Sequence, residues 1–543
     1  MSTNSTFDTS RYIDTRGNVS KPISFSQAIL NGLAPGGGLY VPEHISHFDT
    51  DDLVQLAHVP YWQAASLVYQ AFGIDFDASE IDALMQKTYG SNFDTDEICK
   101  VVPLKKSGNE EADSSDTYVL ELWHGPTSAF KDMALQCLPQ FFSASIAKHR
   151  EKSDLDHDFL ILVATSGDTG GAALAGFADT PHVKIGVMYP DGGVSDIQHL
   201  QMTTQQGSNV MVWAVRGNFD DCQRIEKQAF GDPAFNDTLL DTYGYSLSSA
   251  NSINWGRLLP QIVYYLVACG RLMDAGVISH QSVGSNTPAE AIDVCVPTGN
   301  FGDILAAWYA KQIGAPIAHL ICASNENRVL SDFINTGTYD ISDRPFIKTP
   351  SPAMDILISS NLERLLFELT GRNAAQVSAW MDDLARDRKF SVDRQTFARI
   401  REDFSSDSAT NDECLQTLGK VYDSYHYLID PHTAVAWNVA ERLRSDRPLL
   451  VASTANWAKF GENVYRGLHG IKDGEPLPPH IAKLDGCALN DLIHAETGAE
   501  IPQHLAALKN AKVRFTDVLD GNLEKVEHAI YDFAQKGTKK DTR

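Results

Sequence analysis

Two runs of consecutive apolar residues end in glycine-rich turns, and both turns open helices. FLILVA (159–164) leads into Thr165-Ser166-Gly167-Asp168-Thr169-Gly170-Gly171. IDVCV (292–296) leads into Pro297-Thr298-Gly299-Asn300-Phe301-Gly302-Asp303. A strand without polar alternation is buried on both faces, and an open sheet achieves this when helices cover it on each side. Further runs of this kind lie at 183–188, 210–215, 317–322 and 449–452, separated by segments of helical spacing. The expected fold class is α/β, with open, mostly parallel sheets and helices on both faces.

The remainder of the 543-residue chain divides around these runs. An N-terminal lobe, 1–105, holds the turn LAPGGGLYVP (33–42) and helical spacing at 61–72 and 80–89. A polar stretch at 107–116 reads as an exposed loop, and the α/β core follows at 118–350 as two sub-lobes, with a polar surface insertion at 280–288. Charged, helix-forming sequence at 355–430 reads as a helical insertion. Residues 431–543 return to the core and end in a polar tail. There is no internal repeat or heptad run.

The chain carries 70 acidic and 45 basic side chains, a net charge of −25. That field disfavours a nucleic-acid or anionic-membrane surface, yet a few local cations or helix N-termini still hold a small anion. No apolar run reaches membrane-spanning length, and residues 1–10 show no secretory pattern, so a cytoplasmic location is expected. The eight cysteines are scattered without CxxC spacing; reduced, mostly buried thiols are expected, and no metal site.

Ligands of open parallel sheets bind beyond the carboxyl ends of the strands, where both glycine-rich loops fall. Glycine lets backbone N–H groups approach an anion, and a helix N-terminus adds partial positive charge. Either loop alone reads first as a plain turn; two together imply a ligand, or a ligand pair, with more than one anionic group. Neither is GxGxxG and no P-loop is present, which weakens dinucleotide and nucleoside-triphosphate readings. Lys131, in WHGPTSAFKD (123–132), precedes an apolar helix start. Desolvated there, it has a lowered pKa and serves as nucleophile or base; solvated, it is an ordinary lysine.

WHGPTSAFKD, TSGDTGG, PTGNFGD and STANWAKF (453–460) occur in this order, with YIDTRG (12–17), LSSANSINWGR (247–257), SPAMD (351–355) and DPHTA (430–434) around them. Together they resemble the threonine synthases, pyridoxal-phosphate enzymes of the tryptophan-synthase-β (type II) fold, in the longer form of fungi and many bacteria. The resemblance runs from the first twenty residues to about Phe460. It implies that Lys131 bonds the aldehyde of pyridoxal 5′-phosphate and acts as the catalytic proton carrier, because only an amine does both. Gly299, Asn300, Phe301 and Gly302 would cradle the cofactor phosphate, with Phe301 there for packing. Thr454, in preference to Ser453, would face the pyridine nitrogen. Ser166, Thr169 and Gly170 would meet the substrate carboxylate. Relatives of the fold often carry Asn where Asp168 stands, and an ionised Asp cannot donate a hydrogen bond.

Arg257, with Asn251 and Asn254, would hold the substrate phosphate; otherwise Arg257 pairs with a carboxylate and positions a helix. His124 and His432 are expected as structural histidines. The implied reaction, the last step of threonine biosynthesis, takes O-phospho-L-homoserine and water to L-threonine and phosphate by γ-elimination and β-hydration, a carbon–oxygen lyase reaction. A monomer or weak homodimer is implied, with no nucleic-acid or membrane partner. The rivals are a phospholyase of the same family releasing 2-oxobutyrate and a non-catalytic phosphometabolite-binding protein.

Overall fold

A computed structural model describes residues 11–106, 116–279 and 291–536. The loop and surface insertion expected at 107–116 and 280–288 lie, but for residue 116, outside the described residues, as do 1–10 and the end of the polar tail.

Two sheets dominate. The six-stranded sheet runs in the order Phe404–Ser408, Ile317–Ser324, Ile292–Pro297, Leu449–Ser453, Thr117–Glu121, Lys100–Pro103. All its neighbours are parallel except the last pair. The five-stranded sheet runs Val518–Leu519, Val210–Val215, Val183–Pro190, Asp158–Ala164, Tyr245–Ser248, all parallel. The apolar runs found in the sequence supply the inner strands of both, except Thr117–Glu121. Helix Trp255–Asp274 is almost entirely buried and contacts helices Thr50–His58, Lys131–Leu135 and Gly302–Gln312. Pro260 falls in its second turn and offers no N–H to the carbonyl four residues earlier.

The sheets and the core cross the boundaries of the sequence reading in three places. Segment 355–430 is not only helical: Phe404–Ser408 (FSSDS) forms an edge strand parallel to Ile317–Ser324, with Phe404 and Ser406 turned inward and the Ser406 hydroxyl donating to Cys322 O at 2.6 Å. An edge strand buries one face of a few residues, so its signal is short and polar. The N-terminal lobe shares a continuous core with helix Trp255–Asp274, and Lys100–Pro103 already belongs to the large sheet. The C-terminal part visits both sheets, through Leu449–Ser453 and Val518–Leu519. Among the described residues no helix is long and apolar enough to cross a membrane. Seven cysteines are buried as free thiols and Cys487 is half-buried.

Arg364 ties three parts of the chain together. It is fully buried; Nε donates to Tyr40 O at 3.0 Å, Nη1 to Asn361 Oδ1 at 2.6 Å and Nη2 to Ile253 O at 2.6 Å. Its guanidinium lies over the Trp255 ring, 5.7 Å from the centroid. A lysine, with all its donors on one nitrogen, cannot reproduce the planar fork that places Nε, Nη1 and Nη2 each on its own acceptor. Arg364→Lys is expected to lower stability by about 2–4 kcal/mol, read as a fall in the urea unfolding midpoint; an unchanged midpoint contradicts the clasp.

Candidate active site

The carboxyl ends of strands Asp158–Ala164, Ile292–Pro297 and Leu449–Ser453 face one cleft of about 1170 Å³. Lys131, at the start of helix Lys131–Leu135, lies in it and is buried. The preceding turn is fixed from within by Asp132, whose carboxylate accepts the Thr127 N–H at 2.8 Å and the Thr127 hydroxyl at 2.6 Å. Gly125 must be glycine here, because a Cβ would sit 2.4 Å from Asp132 Cβ. The turn is stapled to the 454–460 loop: Phe130 N–H donates to Thr454 O at 2.8 Å and Asn456 N–H to Ser128 O at 3.1 Å. Thr454 faces the cleft, whereas Ser453 turns away and accepts Trp123 Nε1–H at 3.2 Å.

The 299–303 loop has its carbonyls tied outward. Ser359 donates its hydroxyl to Gly299 O, and Asn361 donates N–H at 3.1 Å and Nδ2–H at 3.2 Å to Asn300 O. The N–H groups of Gly299, Asn300, Phe301, Gly302 and Asp303 meet no acceptor among the described residues, at the N-terminus of helix Gly302–Gln312. Phe301 takes a left-handed φ of 64° and is held there by burial and a ring contact with Phe404 at 5.8 Å. Strain of this kind persists where surroundings over-determine it. A Cβ on Gly299 would lie 2.9 Å from Ala353 O. The result is an anion cradle of unpaired donors plus a helix end.

Asp168 opens helix Asp168–Phe177 after Gly167, whose φ is 135°. Its Oδ1 accepts from Lys459 Nζ at 2.8 Å and Gln198 Nε2 at 2.9 Å, and its Oδ2 lies 3.8 Å from Lys131 Nζ. Burial alone would raise its pKa; Lys459 and then Lys131 overcome that and hold it well below the usual carboxylate range. Lys459 is fully buried and also donates to Thr127 O at 2.7 Å. For Lys131 burial is the largest effect and lowers its pKa; Asp168 opposes, and Lys459 and Arg257 lower it further.

Ser166, Thr169, Asn251 and Arg257 line the cleft; Gly170 and Asn254 do not. The Gly170 N–H is spent on Thr165 Oγ1 at 2.9 Å, and a Cβ there would strike Thr165, Met202 and Val187. Asn254 caps helix Trp255–Asp274 by accepting Gly256 N–H at 2.9 Å, and its Nδ2 donates to Ile29 O at 2.8 Å. Arg257 is buried, donates Nη1–H to Ala250 O at 2.5 Å, makes no ion pair among the described residues and leaves Nε without a partner. A guanidinium this desolvated, its pKa pushed down to about 10, fits an anionic ligand better than helix positioning. His124 donates to Asp94 at 2.6 Å and Glu121 at 2.8 Å, and these carboxylates overcome burial to raise its pKa to about 9, away from the cleft. His432 lines the cleft with Nδ1 on Asp430 at 2.6 Å and Nε2 accepting Ala353 N–H at 3.2 Å.

Four residues of the site escaped the sequence reading: Asp303 and Glu226 line the cleft, and Lys459 and Gln198 hold Asp168 from behind. Lys459 stood within STANWAKF and Asp303 directly after TGNFG, so both had a signal. Gln198 and Glu226 sit on ordinary amphipathic helices and had none.

The family description "Threonine synthase N terminus" matches residues 11–89, and "Threonine synthase, C-terminal" matches 433–530. A threonine synthase from Pseudomonas aeruginosa is 37% identical over 504 residues, 91% of this chain and 98% of that one. This chain belongs to the threonine synthase family. A solved structure, the PLP-bound threonine synthase from Brucella melitensis, superimposes with a TM-score of 0.80 at 35% identity, over 97% of this chain and all of that one. The threonine synthase-like 1 protein of Macaca fascicularis is 39% identical over 453 residues, 82% of this chain; the match spans 58% of that relative's length. Fold and family therefore agree with the expected type II pyridoxal-phosphate architecture.

The Asp168–Lys459 pair is testable by itself. Asp168→Asn leaves a buried ammonium uncompensated and is expected to cost about 3–5 kcal/mol in urea unfolding. Because the folded pKa of Asp168 is depressed, wild type keeps this contribution above about pH 5 and loses it only as pH falls below about 4. A gap that is absent at pH 6 contradicts the assignment.

Proposed function

We propose that this chain is a threonine synthase that converts O-phospho-L-homoserine and water to L-threonine and phosphate with pyridoxal 5′-phosphate as cofactor. The observation that carries the reading is Lys131, buried and of lowered pKa, set beside a cradle of unpaired N–H groups in one cleft. The residues fit the cofactor: the 299–303 donors match a phosphate, Lys131 an aldehyde, and the cleft-facing Thr454 hydroxyl a ring nitrogen without a charge to protonate it. Bound there, pyridoxal phosphate supplies an aldehyde that bonds amines and a ring that withdraws electrons from the adjoining carbons.

The chain's own groups then divide the work. Arg257, through its free Nε, and Asn251 hold the substrate phosphate; Ser166 and Thr169 hold its carboxylate. Lys131 spends part of its time neutral, because burial and neighbouring cations disfavour its charged form, so its amine takes and returns protons in the cleft. Asp168, itself neutralised by Lys459, keeps that amine in place without drawing it into a close ion pair. The lyase class, the cytoplasmic setting and a monomer or weak homodimer belong to the same proposal.

Wild type and Lys131→Ala are each mixed with pyridoxal phosphate and O-phospho-L-homoserine, and absorbance, phosphate, threonine and 2-oxobutyrate are recorded together. Wild type is expected to gain visible absorbance and to release threonine and phosphate in equal amounts. The variant is expected to lose the absorbance and at least about 10²–10⁴-fold of the rate. Phosphate with 2-oxobutyrate instead identifies a phospholyase, and neither absorbance nor turnover in wild type overturns the reading.

A further inference from the structure

Glu226 belongs to the amphipathic helix Phe219–Gly231, is 6% exposed and faces the cleft. Its Oε1 accepts the Ala164 N–H at 3.2 Å and Asn251 Nδ2–H at 3.2 Å. Ala164 ends the strand that leads into Ser166, and Asn251 opens the turn that leads into Arg257. The carboxyl therefore bridges the two loops assigned to substrate, and among the described residues Oε1 has its donors while Oε2 has none. No cation comes within ion-pair distance among the described residues. Lys227 on its own helix is exposed and Arg224 is paired with Asp221. From the surrounding elements, Lys184 spends its ammonium on Phe533 O, Ala534 O and Lys536 O, Asp158 pairs with Arg150, and helix Leu523–Gln535 contributes the acidic Glu527. Cys222, one turn earlier on the helix, is a buried neutral thiol.

We propose that Glu226 is a ligand of the substrate's phosphate and binds it as a neutral carboxyl, so that anion binding in the cleft beside Asn251 takes up one proton. This rests on the phosphate-ester reading above. An ionised carboxylate in this corner would repel a dianion at low dielectric, whereas a carboxylic acid donates Oε2–H to it and keeps Oε1 for Ala164 and Asn251. Burial already raises the Glu226 pKa to about 7, against the two N–H donors and Lys227, which lower it. A bound dianion raises it further. The group is ionised above about pH 7 in the empty cleft and protonated when the anion arrives.

Sulfate is the probe, since it is a dianion throughout the range and does not titrate. Binding to the cofactor-loaded protein is measured by calorimetry in buffers of different ionisation enthalpy, from about pH 7.5 to 9. The loaded protein has its 299–303 cradle filled, so sulfate reports the corner of Glu226 and Asn251. Wild type is expected to take up close to one proton per sulfate, with Kd weakening about tenfold per pH unit. Glu226→Gln, a fixed neutral donor of the same shape, is expected to bind without proton uptake and with a flat Kd. Glu226→Leu is expected to bind more weakly at every pH. Wild-type binding without proton uptake, a Gln variant that keeps the wild-type pH dependence, or no sulfate binding by wild type overturns the proposal. Failure of the underlying reading shows separately, as a loaded protein that makes no threonine from O-phospho-L-homoserine.

Discussion

The floor of the cleft depends on one buried ion pair. Asp168 follows a strand of the five-stranded sheet and Lys459 follows a strand of the six-stranded sheet, and they meet at 2.8 Å with the lysine fully out of water. The pair is then used twice more, by Lys459 on Thr127 O and by Asp168 Oδ2 facing Lys131. Such a pair adds little net stability compared with apolar side chains of the same size. Its contribution is position: it fixes the lysine turn, the 165–171 loop and the 453–460 loop relative to one another. It also sets the electrostatics, because Lys131 sits beside a carboxylate whose charge is already largely spent.

That arrangement explains why the site can be both anion-binding and rich in acids. Asp132, Asp303 and Asp355 are buried, and burial pushes each of their pKa values up to about 6. Each holds the backbone or tyrosines that frame the cleft: Asp303 accepts Tyr264 and Tyr265 hydroxyls at 2.5 and 2.7 Å, and Asp355 accepts Thr349, Asn325 and Asn327. The anion-binding capacity comes instead from unpaired N–H groups and the unpaired Arg257. A chain of net charge −25 thereby offers a local positive corner without a basic surface.

Most inner strands were legible because largely apolar runs have few other uses; 210–215 matches Val210–Val215 to the residue, whereas Thr117–Glu121 was not read as a strand. Edge strands such as Phe404–Ser408 and Val518–Leu519 were not, since the first is polar, the second is two residues long, and both are held by partners distant in sequence. Lys131, the 299–302 loop, Thr454, Ser166, Thr169, Asn251 and Arg257, distant from one another in sequence, line one cleft. Gly170 and Asn254 do not, because a motif does not say which of its polar groups is consumed by its own turn or cap. Gln198 and Glu226 were invisible for the complementary reason: only tertiary packing brings an ordinary helix face to the cleft.

The central claim is that one amine, Lys131, bonds the cofactor while the 299–303 loop holds its phosphate. The most direct measurement is to load the protein with pyridoxal phosphate, reduce it with borohydride, digest it and locate the attached pyridoxyl group by mass spectrometry. The account predicts a single modified peptide containing Lys131. Modification at Lys459 or a surface lysine, or none, would contradict it.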